Sequence, residues 1–233
     1  MFTPARRRGS EILDDPDADA ALSLRSLRDV ALANRLFGGR RAVLGELRTL
    51  LRTQWSRPSG GALTLLDIGT GLGDIPAAAA ELAAAHGVAL HTIGLERTLS
   101  LAGAAAARCH STLTADAMAL PFATGSVDVV TCSQVLHHFD GAEAEHLLQE
   151  CTRVARVAVI IGDLRRSWLA VAGLWTSSFV LGFHPVSRHD GVVSVLRGYT
   201  RHELRTLIAR ATNRRPAVAE RLGFRITAVW SPR

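Results

Sequence analysis

Leu65-Leu66-Asp67-Ile68-Gly69-Thr70-Gly71-Leu72-Gly73-Asp74 joins an apolar run to a cluster of glycines. The run begins at Ala62, and the cluster passes into the alanine-rich segment Ile75 to Ala85. This order predicts strand, tight turn, helix. Pro76 suits a first helical turn, where a missing N–H costs nothing. Glycines at alternate positions let the backbone take positive φ and approach a ligand with no Cβ in the way. The helix that follows begins with unpaired N–H groups and a positive dipole end, a place where polar ligands are held. Dinucleotide sites space their glycines G-x-G-x-x-G. Here the spacing is G-x-G-x-G, with Asp74 where the third dinucleotide glycine would stand.

Asp67-x-Gly69-x-Gly71-x-Gly73 resembles the first motif of the class I S-adenosylmethionine (SAM)-dependent methyltransferases. Further marks follow in order. Val88 to Leu95 reads as a second strand ending in Glu96, about twenty residues past the glycine loop. Asp116-Ala117 precedes Leu120-Pro121-Phe122 and Ser126-x-Asp128, and the fourth strand ends at Ser133-Gln134-Val135-Leu136-His137-His138-Phe139. The resemblance runs from Ala62 onward and covers the N-terminal helices and the segment after strand five only loosely.

The resemblance implies an α/β, Rossmann-like, seven-stranded and mostly parallel sheet with helices on both faces. Its last strand lies antiparallel beside the fifth, and SAM is converted to S-adenosylhomocysteine (SAH). Residue by residue it implies cofactor contacts from Asp67, Gly69, Thr70, Gly71 and Gly73. Glu96, with Arg97 beside it, is expected on the ribose hydroxyls, Asp116 and Ala117 at the adenine, and Ser133 along the methionine half. Asp128 could equally just orient the entrance of its strand.

Composition bounds the alternatives. The 233 residues suffice for one domain with a sizeable core, and 48% are hydrophobic. Net charge is +6, and every basic residue other than histidine is arginine. The arginines are scattered except for Arg6-Arg7-Arg8, so the basicity fits a GC-rich coding sequence better than a nucleic-acid interface. Cys109, Cys132 and Cys151 form no C-x-x-C pair, which points to a reducing compartment and no metal framework. Arg6-Arg7-Arg8 lead into Glu11, Asp14 and Asp15 rather than an apolar core, so no signal peptide is expected and the cytoplasm is the expected location.

Met1 to Ala18 has no period and reads as a loose tip. Asp19 to about Trp55 reads as two helices broken at Phe37-Gly38-Gly39, with apolar faces Leu22-Leu24-Leu27-Val30-Leu32-Leu36 and Val43-Leu44-Leu47-Leu50-Leu51. A helical lid or a packing hairpin would both fit. The predicted division is a tail and lid over 1–60 and a SAM-binding domain over 61–233, with Arg57 to Gly61 as linker and a cap insertion at about 165–198.

Ser167 to Ser187 carries no formal charge. Arg165-Arg166 and Arg188 flank it and polar residues dilute it, which favours a helical cap over a membrane span. Such a cap could touch a bilayer peripherally. His189-Asp190-Gly191 reads as a turn, and Thr200-Arg201-His202-Glu203 as a capping box. Ala217 to Arg221 and Phe224 to Trp230 read as the closing strands.

The resulting expectation is a methyltransferase of small hydrophobic phenolic, polyketide or quinone-like acceptors, working on oxygen or carbon. His137 or His138 could take the acceptor's proton. His138, Asp163, Trp175, His189, Arg197 and Tyr199 are the candidate acceptor contacts, although the last three could simply pin the cap to the core. The rivals are N-methylation of an amine or lipid head group, an NAD-binding variant of the fold, and a non-catalytic SAM- or nucleotide-binding protein. No nucleic-acid partner is expected, and the chain reads as a monomer or homodimer.

Overall fold

The computed structural model describes residues 3–7, 9–15, 19–53 and 62–233. The expected linker Arg57 to Gly61 lies outside them. The elements in chain order are α1 (Ala20–Leu36), α2 (Gly39–Thr53), β1 (Leu63–Ile68), α3 (Asp74–Ala85), β2 (Leu90–Glu96) and α4 (Leu99–Ala105). There follow β3 (Ser111–Thr114), β4 (Val127–Ser133), α5 (Gly141–Val154), β5 (Ala155–Leu164), α6 (Trp168–Val180), α7 (Pro185–Arg197), α8 (Arg201–Thr212), β6 (Ala217–Arg221) and β7 (Arg225–Trp230).

The seven strands lie in the order β3-β2-β1-β4-β5-β7-β6. β1 to β5 pair in parallel, while β7 runs antiparallel to both β5 and β6. Central strands with helices on both faces are apolar on both sides. Alternation sorts their side chains. Leu66, Ile68, Val130, Cys132, Val159 and Ile161 pack toward the core that also holds the buried faces of α5 and α8. Leu65, Val129, Ala158 and Ile160 pack the other way, against α2 and α3. The chain winds outward from β1 to β3, then returns to place β4 on the other side of β1. That reversal leaves a crevice at the carboxyl ends of β1 and β4, where open α/β sheets bind ligands. Asp128 braces the opposite end of β4: it accepts from the Thr64 amide at 2.9 Å and pairs with Arg156.

Four local expectations need correction. The described part of the N-terminal tip, residues 3–7 and 9–15, is tied down rather than loose. Arg166 Nε donates to the Pro4 carbonyl at 2.7 Å, and the Ile12 and Leu13 amides donate to Asp190 at 2.9 and 3.2 Å. His189-Asp190-Gly191 is no turn but lies inside α7, which starts at Pro185 with His184 as its cap. The apolar run Ala155 to Gly162 reads as the fifth strand with Asp163 just past it, but β5 runs on to Leu164, so Asp163 is a buried strand residue. In α1 the fully buried residues are Ser26, Asp29 and Asn34, while Val30, Leu32 and Leu36 stay largely exposed. These polar groups are buried because they face partners: Asp29 accepts from the His184 amide, and Ser187 donates to Ser26. The capping box of α8 forms as expected, with Thr200 and Glu203 each accepting the other's amide.

Candidate functional site

A single cavity of about 550 Å³ opens at the β1/β4 reversal and runs from the glycine loop to a chamber beneath α1, α6 and α7. At its sheet end, Gly69 and Gly71 take φ of +65° and +58°, a region closed to most side chains. A Cβ at Gly69 would run into the Val135 side chain, whereas Gly71 faces the cavity with only Leu27 of α1 close by. Asp67 lies beneath the loop and accepts from Thr131 Oγ1 at 2.6 Å and Thr70 Oγ1 at 2.9 Å. Glu96, at the end of β2, turns its carboxylate into the same crevice. One oxygen accepts the Gly71 amide at 2.5 Å and the other accepts the Arg97 amide at 3.3 Å.

Three carboxylates therefore gather on one wall: Asp67, Asp74 and Glu96. Burial pushes Asp67 up to about 7, and the neighbouring Asp74 and Glu96 charges add to the rise. Burial likewise raises Asp74 and Glu96. Asp74 Oδ2 is buried and has no hydrogen-bond partner among the described residues. A wall of this kind favours a ligand that brings positive charge and hydrogen-bond donors.

The segment after β4 forms the facing wall. Gln134 takes φ of +56°, a strained value for a residue with a side chain. It is held by Asn34 and by Arg225 Nη1 at 2.8 Å. Asp163 grips His137 twice, accepting from its amide at 3.1 Å and meeting its Nδ1 at 2.6 Å. Burial tends to lower the His137 pKa, but Asp163 and then Glu11 outweigh it and carry the imidazole up to about 9. His138 meets Asp14 at 2.7 Å through its own Nδ1. The tail thus brings Glu11 and Asp14 to the two histidines. Leu27, Leu169, Leu174, Phe183 and Val195 make the chamber beyond them apolar.

Among the expected cofactor residues, the cavity wall gathers Asp67, Gly69, Thr70, Gly71, Glu96 and Ser133. Gly73 caps α3 against Arg108 and Cys109 instead. Arg97 and Asp116 are exposed and, with Ala117, stand outside the wall, Asp116 accepting the Met118 amide at 2.8 Å. Among the expected acceptor residues, His138 lines the chamber, and Asp163 lies behind His137. Trp175 and His189 point outward from α6 and α7. Arg197 and Tyr199 serve as struts. Arg197 donates to the His137 and His138 carbonyls at 3.1 and 2.7 Å, and the Tyr199 hydroxyl bonds the Phe139 carbonyl.

Reasoning from sequence misses Glu11, Asp14, Asn34, Gln134 and Arg225. Glu11 and Asp14 stand in a segment with no period. Asn34 looks like one polar residue on a surface helix. Only the lone arginine in the apolar run of β7 gives a local signal. Arg225 is buried against the cavity, and burial lowers its pKa to about 10.

Comparison with known proteins finds a family match over part of the chain. Residues 66–160 match the family described as methyltransferase domain. An uncharacterized methyltransferase of Mycolicibacterium gilvum is 29% identical over 174 residues, which are 71% of this chain and 58% of that protein. The chain thus spans well under two thirds of that curated relative's length. Among solved structures, magnesium protoporphyrin IX methyltransferase from Synechocystis, with SAH bound, superposes with a TM-score of 0.56 at 17% identity, covering 86% of this chain and 84% of its own. A candidate O-methyltransferase of Nostoc punctiforme gives 0.64 at 18% identity, covering 97% and 64%. At these identities the likeness is one of fold.

Proposed function

We propose that the chain is a class I SAM-dependent methyltransferase, a reading supported by the methyltransferase-domain match over residues 66–160, and that it transfers the SAM methyl group to an oxygen or carbon of a small hydrophobic acceptor of phenolic, polyketide or quinone-like character. One observation carries this reading: the glycine-loop crevice and the apolar chamber are two ends of the same cavity. The crevice suits SAM on its own chemistry. Gly71 leaves room for close approach, Glu96 and Asp67 are buried acceptors, and the raised pKa values of this wall answer to a cationic ligand. We assign Asp67, Gly69, Thr70, Gly71, Glu96 and Ser133 to the cofactor.

SAM supplies a methyl on a positively charged sulfur, so the protein need form no bond to it. The chain's own work is positional: to hold the acceptor in line, keep water out and orient its nucleophilic atom. Leu27, Leu169, Leu174, Phe183 and Val195 exclude water from the chamber. We assign His137 and His138 to the acceptor's oxygen, with Asp163 fixing His137. In this reading residues 1–60 close over a SAM-binding unit of 61–233, with 165–198 as the chamber's roof.

A peripheral membrane contact is a second element of the proposal. Trp168, Trp175 and Phe179 lie on the outer face of α6, each about half exposed, and Val180 adds to them. Arg7 stacks over Trp168 and Arg188 over Phe179. Aromatic side chains beside guanidinium groups suit the interface of an anionic bilayer. Among the described residues no helix is long and apolar enough to cross a membrane. Co-sedimentation with phosphatidylglycerol vesicles is expected for the native chain and not for Trp168→Ser/Phe179→Ser. Equal sedimentation of both would end this part of the proposal.

The transfer itself is tested by incubating the chain with trideuteromethyl-SAM and a panel of phenols, hydroquinones, polyketide-like enols and lipid amines, read by mass spectrometry. A labelled oxygen- or carbon-methylated product supports the reading. Label found only on an amine would move the assignment to N-methylation.

A further inference from the structure

Glu11, His137 and His138 meet at the chamber wall, and one ligand atom from each lies within 4.8 Å of the other two. The cofactor crevice does not require this convergence. The His137 side chain is only 2% exposed, yet its Nε2 has no hydrogen-bond partner among the described residues. A buried polar atom left in that state is costly. Glu11 Oε1 stands 3.6 Å away, beyond hydrogen-bond range. Two donors that each lie about 2.1 Å from a tetrahedral cation are roughly 3.4 Å apart. The gap is therefore close to the separation of two ligands around one metal ion.

The outer side of the His137 imidazole carries the same message. Metal-bound histidines commonly give their second ring nitrogen to a carboxylate, which fixes the tautomer and the ring. Asp163 sits 2.6 Å from His137 Nδ1, on the far side of the ring from Nε2. On His138 a single nitrogen, Nδ1, faces both Glu11 at 3.9 Å and Asp14 at 2.7 Å. We propose that Glu11, His137 and His138 bind a divalent first-row transition metal, of the zinc or ferrous type, with Asp163 orienting the His137 imidazole. Two nitrogens and one carboxylate suit such ions, whereas magnesium and calcium take oxygen. Three protein ligands leave a position open toward the chamber.

The site departs from the expectation, drawn from the cysteines, of no metal. Two guanidinium groups work against it. Arg197 Nη1 lies 3.6 Å from Glu11 Oε1 and 2.6 Å from Asp14, and Arg225 acts on Asp163. Their charge weakens the hold on a dication and makes the ion exchangeable rather than structural. At the open position the ion would take the acceptor's oxygen and ease loss of its proton. That role rests on the methyl-transfer reading; the binding itself does not.

The test uses the whole chain, stripped with EDTA and then titrated with Zn²⁺ against a chromophoric chelator and with Co²⁺ by visible absorption. One equivalent is expected, with the absorption of a four- or five-coordinate nitrogen–oxygen site. His138→Ala and Glu11→Gln should each weaken binding by about tenfold or more, while His189→Ala, on the outer face of α7, should not. Melting temperatures of the metal-free variants show whether they fold. Less than one equivalent, or an affinity that neither His138→Ala nor Glu11→Gln changes, overturns the proposal. A chain that binds metal but not SAM keeps the site and removes its acceptor role.

Discussion

Asp67 is the residue at which chemistry and pH meet. Its carboxyl titrates at about 7 in the free protein because burial disfavours its charge and Asp74 and Glu96 repel it. A cationic ligand reverses that balance and favours the ionised form. Below pH 7 SAM must therefore expel a proton to bind, so its affinity should fall as pH drops through 7 and level off above it. The loss approaches tenfold per pH unit, about 1.4 kcal/mol. Calorimetry at pH 6.5 in two buffers of different ionisation enthalpy should detect the released proton, and Asp67→Asn should abolish most of the release. Affinity that is flat from pH 5.5 to 8, with no proton released, would contradict this account of the crevice. Glu96→Ala removes a charged acceptor and leaves the Gly71 amide unpaired, so SAM affinity should fall by about 1–3 kcal/mol. Gly71→Val should lose binding altogether, because a β-branched residue resists a φ of +58° and would project into the cavity. Retained affinity in either variant would place the nucleoside elsewhere.

At the scale of elements, two helices that look alike in sequence are used differently. α2 shows a clean apolar face, and Val43, Leu47, Leu50 and Leu51 are buried in the core beside α3 and the sheet. α1 shows an apolar face too, yet it buries Ser26, Asp29 and Asn34 against distant partners and turns Leu27 to the cavity. Period alone cannot tell them apart, since the hydrogen-bond partners of Ser26, Asp29 and Asn34 lie 100 or more residues away. The glycine loop and the α8 capping box were legible because their signals are short-range, and the seven-stranded, mostly parallel sheet was implied by the family resemblance. The docking of the tail on α7 was not: Ile12 reaches an aspartate 178 residues on, within a tripeptide that reads locally as a turn. Arg166 shows how firmly that docking is built, since it is buried while holding the Pro4 and Gly198 carbonyls and Glu203. Arg166→Met should therefore destabilise the chain by about 3 kcal/mol and lower its melting temperature by several degrees. A change under one degree would mean the tail contributes little to the fold.

For the molecule as a whole, the sheet supplies a fixed crevice, and three separate segments (tail, α1 and the α6–α7 pair) enclose the chamber beside it. The crevice half of the site is written in contiguous motifs and was read from them. The chamber half is assembled from Glu11 and Leu13 of the tail, the ends of β4 and β5, and β7, so Glu11, Gln134 and Arg225 acquire meaning only once the chain is folded. The central claim is that one continuous cavity holds cofactor and acceptor together. A crystal structure with SAH diffused in tests it most directly. The account expects the nucleoside against Gly69 and Gly71 with its ribose on Glu96, and the amino-acid end passing Asp67 so that the sulfur faces the chamber beside His137. SAH bound outside this crevice, or with its sulfur walled off from the chamber, would contradict it.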